Sequence, residues 1–155
     1  MVADTVQVAG IQKKPPPLIQ YSVSLTPDQA TSLSQPISLV KGSGTATVLV
    51  STASNTIHYT LSVQTLSSAQ ASSFLHGFGV RGICANTLYP LPSGNPKSGV
   101  IVYPQHNEWG ILAGLTYFSI PTANNPKGEI RGQVDRGVIR PATAERWEAY
   151  GKLHR

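Results

Sequence analysis

The sequence predicts an all-β protein, an antiparallel β-sandwich or barrel. Three observations carry that prediction. Apolar and polar residues alternate over short stretches, the period of a half-buried strand. The connections between those stretches carry Gly, Pro, Asn and Ser, as in LPSGNPKSG and PTANNPKG, and the chain holds 14 Gly and 12 Pro. No stretch has the strand–helix–strand rhythm of a parallel sheet. A length of 155 residues suits one domain with extensions at its ends.

Residues 1–17 read as an arm, in which VADTVQVAGIQ leads into KKPPP, an extended polyproline-like segment that includes Lys13 and Lys14. In Leu18 to Leu25, the residues Ile19, Tyr21, Val23 and Leu25 alternate with Gln20, Ser22 and Ser24, which predicts the first strand. TPDQATSLSQP is loop-like, and GTATVLVS, Gly44 to Ser51, predicts the second strand. Ser54 and Asn55 form a turn, and Thr56 to Val63 completes a hairpin, with Ile57, Tyr59, Leu61 and Val63 on one face and the surface residue His58 on the other. Further strands are expected around Ser73 to Phe78, Val100 to Tyr103, Ile111 to Ile120 and Gly128 to Val134. The pattern breaks at 141–153, where PATAERWEAYGKL sets Ala144, Trp147 and Tyr150 on one face of a short helix, capped by Thr143 and ended by Gly151. Trp147 has two possible seats there, its own sandwich or a neighbouring subunit. The expected division is an arm at 1–17, a sandwich at 18–137 and a tail at 138–155.

Composition excludes several classes. Only 12% of residues are charged, and the net charge is +5. From Pro15 to Pro126 the charged side chains are Asp28, Lys41, Arg81, Lys97 and Glu108; the others cluster near the ends. A basic nucleic-acid face needs Lys and Arg concentrated on one surface, so nucleic acid is not an expected partner. No window approaches the apolar length of a membrane helix. Met1 to Gly10 lacks the basic start and apolar run of a signal peptide. Cys84 is the single cysteine, with no partner for a disulfide inside the chain, and is expected to be buried and inert. The Ser- and Thr-rich centre fits two readings: an ordinary β-domain of low charge, or faces kept neutral because they pack against other copies.

Two stretches, GSGTATVLVSTASNTIHYTLSVQTLSSAQASSFLHGFGVRG at 42–82 and GLTYFSIPTANNPKGEIRGQV at 114–134, follow one another in an order and spacing that resemble the CHRD domain, the module named for chordin. The closing signature reads Leu115, Tyr117, Ile120, Thr122, Pro126, then Gly128 to Gln133 as GEIRGQ. The resemblance covers roughly residues 20–136. It implies a Greek-key-like sandwich related in shape to the copper–zinc superoxide dismutase barrel, with no established enzymatic activity. It also implies a secreted or surface setting. Two of the family's histidines are replaced: its His-x-His pair aligns with Phe74 and His76, and the histidine of its closing strand aligns with Pro121. A transition-metal site generally needs three or four converging ligands. His58, His76, His106 and His154 have no ligand-like spacing, so neither a metal nor any other cofactor is expected.

The candidate binding residues are His76, Trp109, Tyr117, Glu129 and Arg131; no catalytic residue is assigned. Glu129 and Arg131 are two apart and are expected to share a strand face as an ion pair, with Ile130 and Val134 on the other face. Gly128 and Gly132 are expected at a turn and at a bulge or close approach. His76, in LHGFG, is expected to be hydrogen-bonded and structural. Interface candidates are Lys13 and Lys14 in the arm and Trp147 and Tyr150 in the tail. The expected function is a non-enzymatic structural or interaction subunit that self-associates through arm and tail, as a matrix, filament or shell component. The alternative is a binding module for a protein or glycan through an aromatic patch of Tyr89, Tyr103, Trp109 and Tyr117. A metal-dependent redox enzyme is the third reading.

Overall fold

The computed structural model describes residues 18–135 and the backbone of 138–140. The predicted arm and the predicted C-terminal helix lie outside the described residues, as do Lys13, Lys14, Trp147 and Tyr150. Among the described residues nine strands form two antiparallel sheets. They are β1 (Leu18–Leu25), β2 (Ser43–Ser51), β3 (Thr56–Gln64), β4 (Phe74–Gly77), β5 (Thr87–Pro90), β6 (Lys97–Val102), β7 (Thr116–Ile120), β8 (Ile130–Val134) and β9 (Val138–Arg140). One sheet has the order β6-β3-β2-β1-β9 and the other β5-β4-β7-β8. The architecture is a sandwich and not a closed barrel. At one side the sheets touch through a bridge between Thr26 and Arg131, whose amides and carbonyls exchange bonds of 3.0 and 3.1 Å.

The alternation that predicts the first strands also sets the core. Ile19, Tyr21, Val23 and Leu25 of β1, Val48 and Val50 of β2, and Ile57, Tyr59 and Leu61 of β3 point inward and are buried. Phe118, Ile120, Ile130 and Val134 meet them from the second sheet. Gly132 lies where β8 crosses β1: a Cβ there would stand 2.7 Å from both Leu25 Cγ and Val23 Cγ1 and 2.9 Å from the Ser24 carbonyl oxygen. This is the close approach expected of that glycine. Gly128, at φ +120°, turns the chain into β8.

Four details of the strand prediction are corrected. Ile111 to Ile120 is not one strand. A short helix, α1 (Glu108–Leu112), and a turn precede β7, because Gly110 and Ile111 are buried on a helical turn and Gly114 sits at φ +79°. β8 starts at Ile130, since Gly128 cannot hold strand geometry at its positive φ. β6 starts at Lys97, three residues before the expected strand. β5 and β9 are short and carry no alternation long enough to predict them. β9 pairs with β1, so the sheet takes in residues that the sequence reading assigned to the tail.

Candidate functional site

Glu129 is fully buried, yet it belongs to the turn before β8 and not to the strand. The face-sharing argument therefore does not apply to it, and the expected ion pair with Arg131 is absent. Its carboxylate is held by neutral donors. Oε2 accepts from the Ser67 amide at 2.8 Å; Oε1 accepts from Ser67 Oγ at 2.6 Å, Thr122 Oγ1 at 2.8 Å and Asn125 Nδ2 at 3.2 Å. Burial pushes the carboxyl pKa up, but those donors together outweigh it and hold it below its ordinary value. Asn125 extends the cluster: its Oδ1 accepts from the amides of Ser34 and Gln35 at 2.9 and 3.2 Å. The carboxylate and Asn125 together thus tie three segments far apart in sequence, around Ser34, Ser67 and Glu129.

Arg131 is 3% exposed and belongs to a second cluster, on the outer face of the four-stranded sheet. Tyr117, on the central strand β7, is the middle of a stack. The Arg131 guanidinium carbon lies 3.5 Å from its ring centroid, and the His76 ring is stacked at 4.8 Å with an interplanar angle of 5°. These contacts follow from register, because His76 is opposite Tyr117 and Arg131 is opposite Ser119, one diagonal step away. Arg131 Nη2 donates to the Val80 carbonyl at 3.0 Å and to Gln133 Oε1 at 2.9 Å; Nη1 is buried without a partner. Burial lowers the guanidinium's pKa, and the Arg81 charge adds to that.

The stack holds down the loop at 79–86. The Ala85 amide donates to the Tyr117 hydroxyl at 2.8 Å, which in turn donates to the Ala85 carbonyl at 3.2 Å. His76 Nδ1 lies 3.1 Å from the same carbonyl oxygen. Gln133 Nε2 donates to the carbonyls of Gly79 and Gly114 at 2.7 and 2.9 Å. Arg81 pairs with Asp135 through Nε at 2.9 Å and Nη2 at 3.0 Å, the single salt bridge among the described residues. A cleft of about 280 Å³ beside this loop is lined by Asp28, Gln29, Ala30, Thr31, Arg81, Gly82 and Arg131. The half-buried His76 ring has its Nδ1 on the Ala85 carbonyl, and burial is the main cause of its lowered pKa.

Two further expectations are corrected. Cys84 is exposed, because it rides on the 79–86 loop outside the sheet, with Sγ 2.9 Å from Thr31 Oγ1. The four aromatic residues do not form one exposed patch. Tyr103 and Tyr117 are buried at 1% and 4%, and the Asn107 side chain donates to the hydroxyl of partly buried Tyr89 at 2.9 Å. Trp109 alone is prominently exposed, at 61%, tilted against Phe78 with centroids 5.2 Å apart. Among the described residues no hydrogen bond joins a hydroxyl or thiol to a histidine, and no three His, Cys, Asp or Glu side chains lie together as a metal site. Thr122 and Gln133 stood in the closing signature without a role, and Ser67 and Asn125 were not singled out at all. Ser67 is 62 residues from Glu129, Asn125 reaches Ser34 about 90 residues away, and Gln133 reaches Gly79 across 54.

The polar clusters bind loop backbone to sheet, and their groups are largely taken up by one another. That defines the class of the molecule, a β-sandwich braced by buried polar knots. The family model of the CHRD domain matches residues 21–134, and the chain belongs to the CHRD domain family. Neither a curated protein nor a solved structure matches it. The family is one of binding-type and not enzymatic domains.

Proposed function

We propose that this chain is a non-enzymatic structural and interaction subunit, a CHRD-type sandwich that associates with copies of itself through its arm and tail. The observation that carries the reading is the register of β1 and β9, in which Leu18 is opposite Arg140. The arm therefore ends and the tail begins at neighbouring positions on one corner of the five-stranded sheet. Two segments leaving from one corner act on the same region of a neighbour, a general route to ordered oligomers. Lys13, Lys14, Trp147 and Tyr150 are the residues proposed to make those contacts.

The outer face of the same sheet supports the reading. Its outward positions on β1, β2, β3 and β6 hold no Lys, Arg, Asp or Glu, and the middle rows run Gln20, Leu49, His58, Val100 and Ser22, Thr47, Thr60, Ser98. A shallow depression of about 390 Å³ on this face is lined by these rows around His58. Copies of a positively charged chain meet there without like charges facing each other. Family membership favours an interaction role and, with it, an extracellular or surface setting.

The test compares full-length chain with a chain trimmed to residues 18–140, which keeps β9, by sedimentation. A complex for the full chain that shrinks on trimming supports the proposal. Equal monomer masses for both sink it. The second reading, a module for an external protein or glycan, is favoured by the exposed ring of Trp109. Unchanged binding of every tested ligand by Trp109→Ala would remove it.

A further inference from the structure

We propose that β6 is a pairing edge for a second copy of this chain. Two β6 strands meet antiparallel about a two-fold axis at Val100 and join two five-stranded sheets edge to edge. β6 ends its sheet, and among the described residues nothing pairs with its outer side. The direction of its backbone groups follows from an adjacent bond. The Tyr103 amide donates to the Asn55 carbonyl at 2.9 Å, and the register runs unbroken from Thr56 opposite Val102 to Leu61 opposite Lys97. In an antiparallel ladder the groups alternate, so Ile101 and Gly99 face β3, whereas Ser98, Val100 and Val102 turn both N–H and C=O outward. Reversed on itself, that row is self-complementary. Val100 meets its own counterpart, and Ser98 meets the counterpart of Val102 on either side. Three pairs exchanging two bonds each make about six hydrogen bonds.

Charge and exposure select a second copy as the occupant. The outward residues are uncharged, with Val100 56% and Val102 71% exposed. Lys97 is turned inward, 3% exposed, and donates to the carbonyls of Pro92 and Gly94 at 3.0 and 2.9 Å. In a chain of net charge +5, two copies of this strand meet without repulsion. Both edges of the four-stranded sheet are defended: β5 ends in Pro90 and shifts register against β4, and the outer side of β8 is bridged to Thr26. The contact is small. A strand of this length gives about 20 Å of edge, too short a seam to bury the ~800 Å² per partner of a stable interface. The pair is therefore weak alone and forms where other contacts raise the local concentration. It lies at the opposite edge of the sheet from β9.

The experiment uses full-length chain over a hundredfold range of concentration. Amide exchange at Ser98, Val100 and Val102 is expected to slow at least tenfold toward the top of the range. In a sample mixing isotope-labelled and unlabelled chains, the Val100 amide is expected to contact β6 of the other chain. Val100→Pro removes an outward N–H and no bond to β3; it is expected to abolish the slowing at Ser98 and Val102 with an unchanged circular dichroism spectrum. If that variant fails to fold, Val100→Lys sets like charges side by side at the axis and is expected to act in the same way. Concentration-independent exchange at these amides, or intermolecular contacts from Val100 to residues 2–12 in place of β6, overturns the proposal. Either result leaves the arm-and-tail reading standing, because that reading is tested at different residues.

Discussion

Replacing Glu129 by Gln keeps its shape and removes its charge. The carboxylate takes four hydrogen bonds, one on Oε2 and three on Oε1. With the Gln oxygen in the Oε1 position, three bonds survive as neutral ones. The new amide group then faces the Ser67 N–H, donor against donor. A buried donor left without an acceptor costs about 1–3 kcal/mol, and hydrogen bonds to a charged group contribute roughly 1.5–3 kcal/mol against about 1 for neutral ones. The expected loss is about 2–4 kcal/mol, a large share of the ~5–15 kcal/mol that holds an ordinary domain folded. Because the folded pKa is lowered, the stabilisation is fully present above the unfolded value, near 4.3. It is lost as pH falls through the folded value. Urea unfolding of wild type and Glu129→Gln at pH 7 and pH 3 reads both effects, and the difference between them should shrink at pH 3. A loss below ~0.5 kcal/mol at pH 7, or an equal loss at both pH values, would refute the account of a charged, load-sharing carboxylate.

The other clusters make separate predictions. Gly132→Ala drives a methyl group into Leu25, Val23 and the Ser24 carbonyl, so a loss of about 1–3 kcal/mol in urea unfolding is expected; a change near zero would mean that β1 and β8 can separate freely. Burial chiefly lowers the His76 pKa, with the Arg131 charge adding to it and the Ala85 carbonyl opposing it. Its share of stability is therefore full above the unfolded value, near 6.5, and falls as pH drops below that. His76→Gln should flatten Tm between pH 7.5 and 5; an unchanged slope would assign the loss to other groups. Arg131→Met removes the bonds to Val80 and Gln133 but also relieves a buried charge that no carboxylate faces. A modest loss of about 1–2 kcal/mol is expected, with faster amide exchange across residues 80–85. Unchanged exchange there would show that the stack does not hold the loop.

What the sequence could convey depended on the range of the interaction. β1, β2 and β3 are long and half-buried, so their period of two was legible, down to the outward His58. The predicted strand at Ile111 to Ile120 failed because apolar composition alone does not separate a buried helical turn at Gly110–Ile111 from a strand. The family signature GEIRGQ was legible, but its wiring was not. Glu129 and Arg131, two residues apart, serve different clusters because the strand begins between them. Glu129 is bonded to Ser67, and Asn125 to Ser34 and Gln35, across separations of 62 and about 90 residues. No local pattern records such partners. Cys84 and the scattered tyrosines were misjudged for the same reason: their exposure is decided by where the 79–86 loop and α1 settle on the sandwich.

Self-association of this sandwich, as proposed, can be followed by light scattering on the purified full-length chain across a hundredfold dilution. The expected result is an average mass above that of one chain at the highest concentration, falling toward one chain on dilution. A mass of one chain at every concentration would contradict it.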